Sequence, residues 1–589
     1  MKTQTRVLIV GGGGAGLTAS MLLSQLRIDH ILVSALPHTS LLPKAHILNQ
    51  RTMEIFEELG VAEHIFARST PAEQMKSTAW YAGVTGPHDG YGRRLGRLEV
   101  WGGGYTDPDF IAASPFRTAN LPQIRLEPVL KQRAEDIGGD IRFGHEVTSY
   151  QQDDEGITVE VRVRESGETY QVRCEYLLGC DGGRTIGKLS GIELEGQRLL
   201  MRMVSSHISY DFSRFLQDED VLIRWLVNPD FGGSWASGVL VAMGPEQWGT
   251  KSEEWVLHLQ FAMNDESALD DAKVLERMRA TLGIADFSPE IHYISRWTME
   301  GVLANKFKSG RVFVVGDAAH RHPPTGGLGL NSAVHDAYNL CWKLAAVLRG
   351  RAGPGLLETY GIERRPVDGA NVETAVNAAL NHFKVDQALS LSPEKTAEQN
   401  WQEIRPLWED LPDSSRKRHA LNAAIVSQTM EFRHHNIEFG YVYTSDAIVE
   451  DGAPVGVPLD KVRIYEPSTK PGHPLPHAWI EREGRRIALN TLVHGGKFVL
   501  IAGEKGQAWI EAAKKVAAEL SIELTAVRIG ILDGDYVDAR CAWTKQREIS
   551  PEGAVIVRPD RYIGFRSAGA VADPEATLTA ALHQILDLR

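Results

Sequence analysis

The 589-residue sequence predicts a mixed α/β and α+β fold built from several domains. Three patterns indicate this fold: a strand, glycine turn and helix at the N-terminus, a run of short strands in the middle of the chain, and a new alternation of strands and helices near the C-terminus. At roughly 150 residues per domain the length favours about two to four units, which excludes a single small module.

The N-terminal pattern predicts a Rossmann-like βαβ unit. Residues 6–10 are a short apolar run with β-branched side chains, which is typical of a buried parallel strand. The four glycines at 11–14 suit a tight turn, and the apolar run at 31–33 supplies the second strand. Between them lies an apolar stripe of helical spacing at Leu17, Met21, Leu22 and Leu26. The same glycines would interrupt a signal-peptide or membrane helix, so neither export nor a membrane span is expected.

Short strands between about 142 and 261 predict an antiparallel sheet beside the first domain. The expected strands are 157–163, 221–227, 235–243 and 255–261. The apolar run 312–315, followed by a long helical pattern, predicts that the chain then returns to the first sheet. The segment 356–447 is mainly helical, for example at 372–383 and 420–433, and carries no chemical motif.

The last part of the chain predicts a small α/β domain. Proline and glycine are frequent at 452–458 and 467–476, which indicates a linker. Strands at 497–501, 524–529 and 554–557 then alternate with helices at 508–520 and 578–588. Asp573 is the expected N-cap of the terminal helix, with Pro574 at its first position. This order predicts a thioredoxin-like domain without the redox CxxC motif.

Charge and cysteine content exclude several classes of function. Lys and Arg number 63 against 76 Asp and Glu, a net charge of −13, and no basic block occurs, so nucleic acid is not an expected partner. The cysteines Cys174, Cys180, Cys341 and Cys541 have neither disulfide-framework nor zinc-ligand spacing. A reducing cytoplasmic location and no metal are therefore expected, and a homo-oligomer is left open.

A dinucleotide-binding fingerprint, Gly11-x-Gly13-x-x-Gly16, joins the first strand to the first helix. Gly11 allows the tight turn, Gly13 lets the backbone approach a pyrophosphate, and Gly16 lets helix and strand pack closely. The helix N-terminus offers N–H groups to the anion. Ser34 stands where an acidic residue usually holds the adenosine ribose, and its hydroxyl can still donate to a ribose. A glycine-rich turn without a ligand is the alternative.

Two further loops place an aspartate after a strand. Asp181 lies in GCDGGRT at 179–185, and Asp317 lies in GDAAHRHPPTGGLGLN at 316–331. The second loop runs into a helix start, so its backbone can lie against a flat ring while Asp317 binds a polyol hydroxyl. A proline-rich connector is the alternative. His320 and His322 in this loop do not predict a metal site, because no carboxylate or cysteine cluster accompanies them in sequence.

These three motifs, in this order, resemble those of the single-component FAD-dependent aromatic hydroxylases of the para-hydroxybenzoate hydroxylase-like class. The segments PKAHILNQRTME at 43–54 and SWASGVLVAMGP at 234–245 are similar to the phenol hydroxylases, in particular the branch that acts on 2,4-dichlorophenol. The resemblance covers most of the chain, including the thioredoxin-like tail. The departures from the family motifs are small: four glycines in the first turn, and Thr185 where serine is frequent.

The resemblance implies a domain order and an FAD site. Residues 1–195 are expected to form the first part of the FAD-binding domain, 196–300 the middle β-sheet substrate domain, 301–450 the return to the FAD-binding domain with the helical segment, and 451–589 the C-terminal domain. The expected FAD-binding residues are Gly11, Gly13, Gly14, Ala15, Gly16, Ser34, Lys44, Gln123, Asp181, Gly316, Asp317, Pro324, Gly327, Leu328, Gly329, Leu330 and Asn331. FAD is expected to bind non-covalently, with NADPH as a transient co-substrate that has no Rossmann domain of its own.

The implied reaction is ortho-hydroxylation of a phenol or chlorophenol to a catechol with NADPH and dioxygen, through a flavin hydroperoxide. His46 is the candidate base and Lys44 the candidate cation near flavin and nicotinamide, with a structural histidine and a solvated lysine as the alternatives. Trp225, Trp235 and Trp297 are candidates for the phenol pocket, although most tryptophans belong to the core. The alternative functions are hydroxylation of a larger ring such as a hydroxybiphenyl or polyketide, oxygen insertion beside a ketone, and a non-catalytic FAD-loaded interaction protein.

Overall fold

A computed structural model describes residues 2–454, 456 and 458–588, so positions 455 and 457 of the expected linker lie outside the described residues. No helix in this part of the chain is long and apolar enough to cross a bilayer. The strands are β1 (Val7–Val10), β2 (His30–Ser34), β3 (Ile47–Leu48), β4 (Ser77–Tyr81), β5 (Arg94–Glu99), β6 (Ala119–Asn120), β7 (Asp140–Phe143), β8 (His145–Gln152), β9 (Ile157–Val163), β10 (Thr169–Cys174), β11 (Tyr176–Gly179), β12 (Leu194–Ser209), β13 (Val221–Asn228), β14 (Gly238–Gly244), β15 (Glu254–Phe261), β16 (Glu290–Ala304), β17 (Lys308–Ser309), β18 (Val312–Val314), β19 (His320–Arg321), β20 (Trp479–Arg482), β21 (Arg485–Ala488), β22 (Phe498–Ala502), β23 (Leu524–Gly530), β24 (Tyr536–Val537), β25 (Ala554–Val557) and β26 (Ile563–Ser567).

The helices lie between these strands and in one long segment after β19. They are α1 (Gly14–Gln25), α2 (Gln50–Glu58), α3 (Ala62–Phe66), α4 (Pro108–Ala113), α5 (Gln123–Asp136), α6 (Ile186–Leu189), α7 (Ser234–Ser237), α8 (Asp271–Leu282), α9 (Leu328–Leu348), α10 (Thr359–Asn381), α11 (Phe383–Leu389), α12 (Ala397–Ile404), α13 (Ser414–Ser427), α14 (Thr429–Phe432), α15 (His435–Phe439), α16 (Gln507–Glu519), α17 (Ala542–Gln546) and α18 (Pro574–Ile585).

A six-stranded sheet in the order β17-β18-β11-β1-β2-β7 forms the first domain. All its pairs are parallel except the edge pair of β17 and β18. The side chains of β1 are buried, and α1 and α9 pack together against the same core. The predicted N-terminal βαβ unit and the return of 312–315 to this sheet are therefore confirmed.

An eight-stranded sheet in the order β19-β16-β12-β15-β14-β13-β4-β5 forms the middle of the molecule. The expected single sheet between 142 and 261 is wrong in three respects. β7 and β11 belong to the parallel sheet, β8 to β10 form a separate three-stranded sheet, and β4 and β5 join the middle sheet from an earlier part of the chain. Local alternation identifies strands but not their partners, because pairing is decided by contacts far apart in sequence.

One predicted strand and two predicted helices also differ in their bounds. The predicted strand 235–243 is divided into α7 and β14 at Gly238, whose φ is +121° and whose Cβ would lie 2.6 Å from the backbone oxygen of His258. The predicted helix 372–383 is only the second half of α10, because the first half contains Pro366 and buries charged residues instead of an apolar stripe. The predicted helix 420–433 is divided between α13 and α14.

The C-terminal part contains a seven-stranded sheet in the order β21-β20-β24-β23-β22-β25-β26, with α16 and α18 packed together. The expected alternation is confirmed, and Asp573 caps α18 by accepting from the Ala576 amide at 3.0 Å. The assignment of this domain as thioredoxin-like stays a prediction.

Buried ion pairs join this C-terminal part to the rest of the molecule. The guanidinium of Arg558 donates to both carboxylate oxygens of Glu363, at 2.6 and 2.9 Å, and Lys343 donates to the same carboxylate at 2.6 Å. All three side chains are fully buried. We refer to Glu363, Lys343 and Arg558 as the interdomain clamp. Arg561 adds a further contact to Glu58 at 3.0 Å.

Candidate functional site

The glycine turn after β1 packs closely against neighbouring backbone, as the fingerprint predicts for a tight turn. A Cβ on Gly11 would lie 2.2 Å from the backbone oxygen of Cys180, and a Cβ on Gly16 would lie 1.9 Å from the oxygen of Gly11. Only glycine therefore fits at these two positions. Gly13 is the N-cap of α1 and makes no side-chain capping bond. The first N–H groups of α1 can therefore bind an anion.

The loop that carries Asp317 lies against this turn. Gly316 has a φ of +62°, and its Cβ would be 2.8 Å from the Cβ of Ala333 and 3.3 Å from that of Ala15. Asp317 is exposed, and its carboxylate accepts no hydrogen bond from the residues that the structure describes. Arg321 donates to the Asp317 backbone oxygen at 3.1 Å and to that of Gly182 at 2.8 Å. All three sequence motifs thus adjoin in one place.

Two predicted FAD residues use their side chains for hydrogen bonds to the protein backbone. The carboxylate of Asp181 accepts from the amides of Gly183, Thr185 and Ile186, at 3.1, 2.6 and 2.9 Å. Asn331 accepts from the Asn49 amide at 2.9 Å and donates to the Ile47 oxygen at 3.0 Å. Both side chains shape the walls of the site, and direct contact with FAD stays a prediction for them.

The start of α9 forms a second wall. Gly327 is its N-cap, with a φ of +63° and no capping side chain, so the N–H groups at Leu328 and Gly329 are available to a ligand. Leu330 is buried against the start of α1, because a Cβ on Gly14 would meet its Cδ1 at 2.4 Å. Pro324 is exposed on the turn before α9.

Residues near the end of β2 and the start of α5 lie beside the glycine turn. Ser34 is buried beside Gly12 and accepts from the Leu36 amide at 3.3 Å. Gln123 donates its backbone N–H to the oxygens of Pro43 and Ala45, at 2.8 and 2.9 Å, which fixes the loop that carries Lys44.

The sequence predicts Lys44 as a site residue but does not predict Glu127. Lys44 is exposed, has a φ of +40°, and makes no side-chain hydrogen bond within the described part of the chain. Glu127, which the sequence analysis missed, is buried and accepts from Gln123 and from the Ser40 amide. Its spacing of four residues from Gln123 on α5 was the available signal.

The sequence-based reason for rejecting a metal at His320 and His322 is wrong. Folding brings two carboxylates to His320, with Asp336 at 2.9 Å and Asp368 at 3.8 Å. Arg364 already pairs with both carboxylates, at 2.7 and 2.8 Å, so a cation at this point would have to displace a guanidinium. Asp336 also accepts from the Gly316 amide at 3.0 Å, which anchors the loop of Asp317.

His46 is half-buried on the loop before β3, and its hydrogen bond fixes its tautomer. Its Nδ1 lies 2.6 Å from Oδ1 of Asn120, and the Asn120 amide nitrogen donates to Thr70 at 2.6 Å. Because the amide oxygen only accepts, Nδ1 of His46 carries the proton and Nε2 has the free lone pair. Burial lowers the pKa of His46, and the Asn120 bond only partly opposes this. The imidazole is therefore a neutral proton acceptor near pH 7.

The three predicted tryptophans belong to or pack against one hydrophobic cluster of the middle sheet, but Trp297 does not lie beside the other two. Trp225 and Trp235 have ring centroids 6.0 Å apart, and His382 stacks on Trp225 at 3.8 Å. Trp297 lies on β16, separated from β13 by three intervening strands, and its Nε1 donates to Ser205 at 2.9 Å. The structure brings Trp225 and Trp235 together and places Trp297 at the far end of the row.

Comparison with known proteins agrees with this geometry. Residues 4–375 match the family described as FAD binding domain, and residues 468–588 match the aromatic-ring hydroxylase C-terminal family. The chain is 35% identical to phenol 2-monooxygenase of Pseudomonas sp. (strain EST1001), over 98% of this chain and 92% of that protein. It is also 35% identical to 2,4-dichlorophenol 6-monooxygenase of Delftia acidovorans, over 99% and 98% of the two chains.

A solved structure shows the same architecture. The crystal structure of the flavin-dependent monooxygenase PieE in complex with FAD and substrate superposes with a TM-score of 0.91 at 35% identity, over 100% of this chain and 99% of that chain. The glycine turn, the uncapped α1 and α9 and the free carboxylate of Asp317 all suit an adenine dinucleotide. The chain belongs to the FAD-dependent aromatic-ring hydroxylase family of monooxygenases, and FAD is its cofactor.

Proposed function

We propose that the chain hydroxylates a phenol or chlorophenol to a catechol, at the ring carbon next to the hydroxyl group. The reaction consumes one NADPH, one proton and one dioxygen, and it yields the catechol, NADP⁺ and water. Bound FAD supplies the electron transfer and the delivery of one oxygen atom to the ring. The protein has to bind the aromatic ring, accept the proton of the phenol hydroxyl and exclude water.

The observation that carries this proposal is the state of His46. A phenol is more reactive towards an electrophilic oxygen once its hydroxyl proton has been removed. His46 is neutral and has its Nε2 lone pair free, and its Nδ1–H is held by Asn120 at 2.6 Å. The phenol O–H bond breaks, the proton moves to His46 Nε2, and the electron pair remains on the phenolate oxygen.

NADPH is proposed as the reductant. The strand, glycine turn and helix fingerprint occurs once in the sequence and belongs to FAD, so the nicotinamide dinucleotide must bind without a Rossmann domain. Lys44 is exposed beside the site and offers a cation to its phosphates. This supports a transient encounter between NADPH and the flavin rather than a permanent second site.

A relative supports a second candidate, hydroxylation of a larger phenolic ring system. The chain is 32% identical, over 98% of its length, to tetracenomycin B2 monooxygenase-dioxygenase of Streptomyces olivaceus. The buried Trp225 and Trp80 do not contribute to this candidate, because His382 already stacks on Trp225 at 3.8 Å.

Phenol-stimulated NADPH oxidation with product identification tests the proposal. The panel should contain phenol, 2,4-dichlorophenol, 2-hydroxybiphenyl and a polycyclic phenol, with hydrogen peroxide measured in parallel. We expect at least one phenol to accelerate flavin reduction and to be recovered as the ortho-diol, because gating prevents loss of reducing equivalents to oxygen. Equal reduction rates with and without every phenol, and no diol, would show that the proposed function is wrong.

A further inference from the structure

His258 lies near the centre of the middle sheet and is close enough to His46 for the charge of a protonated His46 to act on it. It lies on β15, where register pairs it with Ser205 of β12 on one side and Val239 of β14 on the other. Directly paired residues project from the same face of a sheet, so His258 lies in the row that continues to Trp225. Ile47, the neighbour of His46 in sequence, packs in the same hydrophobic cluster as Trp225 and Val239.

A relay of two hydrogen bonds fixes the tautomer of His258. The indole Nε1 of Trp297 donates to Ser205 Oγ at 2.9 Å, and Ser205 Oγ lies 2.8 Å from Nδ1 of His258. An indole N–H can only donate, so the Ser205 oxygen accepts from Trp297. Among the described residues His258 Nδ1 is the only acceptor within reach of the Ser205 hydroxyl proton, so Ser205 donates to His258. Nδ1 of His258 is thus the acceptor, and Nε2 carries the proton.

The two neighbouring imidazoles therefore offer opposite hydrogen-bonding functions. His46 offers an Nε2 lone pair, and His258 offers an Nε2–H. Neither Nε2 has a hydrogen-bond partner among the described residues, and neither atom is fully buried. Neither ring has a carboxylate or a guanidinium as a hydrogen-bond partner within that part of the chain.

We propose that His258 binds the substrate oxygen, donating a hydrogen bond from Nε2–H to the phenol, and then to the phenolate, while His46 Nε2 takes the hydroxyl proton. This inference rests on the proposed function and specifies its substrate class as molecules with a free phenolic hydroxyl. A phenol hydroxyl donates and accepts at the same time, which satisfies both rings. A methyl ether cannot donate, so it leaves the His46 lone pair without a partner and is rejected.

The protonation state of His258 suits a donor that does not titrate during the reaction. Burial, and then the charge of a protonated His46, lower the pKa of His258 to about 4. His258 is therefore neutral in the range where the enzyme works, and it keeps its Nε2–H before and after the phenol loses its proton. The only proton that moves is the one that passes from the substrate to His46. The phenolate left behind is a buried anion, and a fixed N–H is what stabilises such a group.

The experiment measures the ionisation of a bound phenol rather than turnover. 4-Nitrophenol is titrated against pH in complex with the oxidised, FAD-loaded enzyme, and the absorption of its phenolate form reports the pKa of the bound ligand. The variants are His258→Leu, His258→Gln, which keeps an N–H donor, and Ser205→Ala, which keeps the imidazole but removes its hydroxyl partner. His64→Ala, an exposed histidine on α3, is the matched control.

We expect His258→Leu to lower the acid dissociation constant of bound 4-nitrophenol by about tenfold to a hundredfold, the effect of one hydrogen bond to a charged oxygen. His258→Gln should restore most of this loss, Ser205→Ala should show a smaller change in the same direction, and His64→Ala should show none. 4-Nitroanisole should not bind to the native enzyme.

The outcomes separate this inference from the proposed function. If phenols bind and are hydroxylated normally but His258→Leu leaves the ionisation of 4-nitrophenol unchanged, only the inference is wrong. If His258→Gln behaves like His258→Leu, the effect comes from packing, and the proposed role of His258 as a hydrogen-bond donor is wrong. If no phenol binds to the native enzyme, the proposed function and the inference are wrong together. Should His258→Leu fail to retain FAD, the Ser205→Ala titration decides, and an unchanged value there overturns the inference.

Discussion

Replacing Asn120 by aspartate tests whether His46 is the base and whether its Nδ1–H is held as described. Asn120 is fully buried and its Oδ1 lies 2.6 Å from His46 Nδ1. The substitution keeps the shape of the side chain and replaces a neutral acceptor by a carboxylate. The second carboxylate oxygen can accept from the Thr70 hydroxyl, to which the amide now donates at 2.6 Å, so the geometry is retained.

The expected magnitude follows from this distance. Unit charges about 4 Å apart interact by about 4 kcal/mol at an effective dielectric constant of about 20, and a carboxylate this close raises the pKa of a histidine by about one to three units. The desolvation of the buried carboxylate reduces the effect towards the lower end. His46 must be neutral to act as the base. A raised pKa of His46 therefore removes activity at a higher pH as the solution becomes more acidic. The acid limb of kcat/KM for unsubstituted phenol should therefore move to higher pH by about one to three units.

The assay is the pH dependence of kcat/KM for catechol formation from phenol, with FAD content measured for each sample. Asn371→Asp is a matched control, because Asn371 is also buried and its side chain bonds to Ser332 rather than to His46. The native acid limb should lie below the ordinary pKa of histidine, since burial lowers the pKa of His46. An acid limb that stays in place in Asn120→Asp, or moves to lower pH, would refute the assignment of His46 as the base.

Three further predictions concern the cofactor, the base and the domain contact. Asp317→Ala should lower FAD affinity by about 1 to 3 kcal/mol through a lost polyol hydrogen bond, and undiminished flavin occupancy after dialysis would count against that contact. His46→Ala should slow hydroxylation of phenol by about 10²-fold and that of 2,4-dichlorophenol less, because chlorine substituents already acidify the phenol. His64→Ala should change neither rate, and equal slowing of both substrates in His46→Ala would make His46 structural. Glu363→Gln should lower the free energy of unfolding by about 3 to 5 kcal/mol, because Lys343 would remain buried without a carboxylate while Arg558 keeps only its pair with Asp560 at 2.5 Å. A calorimetric loss below about 1 kcal/mol would contradict the importance of the interdomain clamp.

The parts of the site that the sequence predicted are those formed by consecutive residues. Gly11, Gly13 and Gly16 act through a turn whose geometry their own spacing determines, and Asp317 follows directly from the end of a strand. His46 can be predicted because it lies in a segment similar to the phenol hydroxylases. For such residues local sequence carries most of the information about position.

The parts that sequence reasoning missed depend on contacts between distant segments. His258, Ser205 and Asn120 come from three strands, and their meeting is decided by the register of the middle sheet and by how the loop of His46 lies over it. A lone histidine in a strand gives no local signal of this. Asp336 and Asp368 lie within helices, where a buried carboxylate is recognised only when its partner Arg364 is also known.

The helix α9 carries the interdomain clamp at one end and the cofactor wall at the other. Its N-cap is Gly327, a predicted FAD-binding residue, and Lys343 lies about four turns further along the same helix. At 1.5 Å per residue its 21 residues span about 30 Å. If the clamp and bound FAD both hold α9 in this position, each strengthens the other, because coupling between two sites is reciprocal. Loss of FAD should therefore expose the C-terminal domain to proteases, although this domain lies at the far end of α9 from the cofactor.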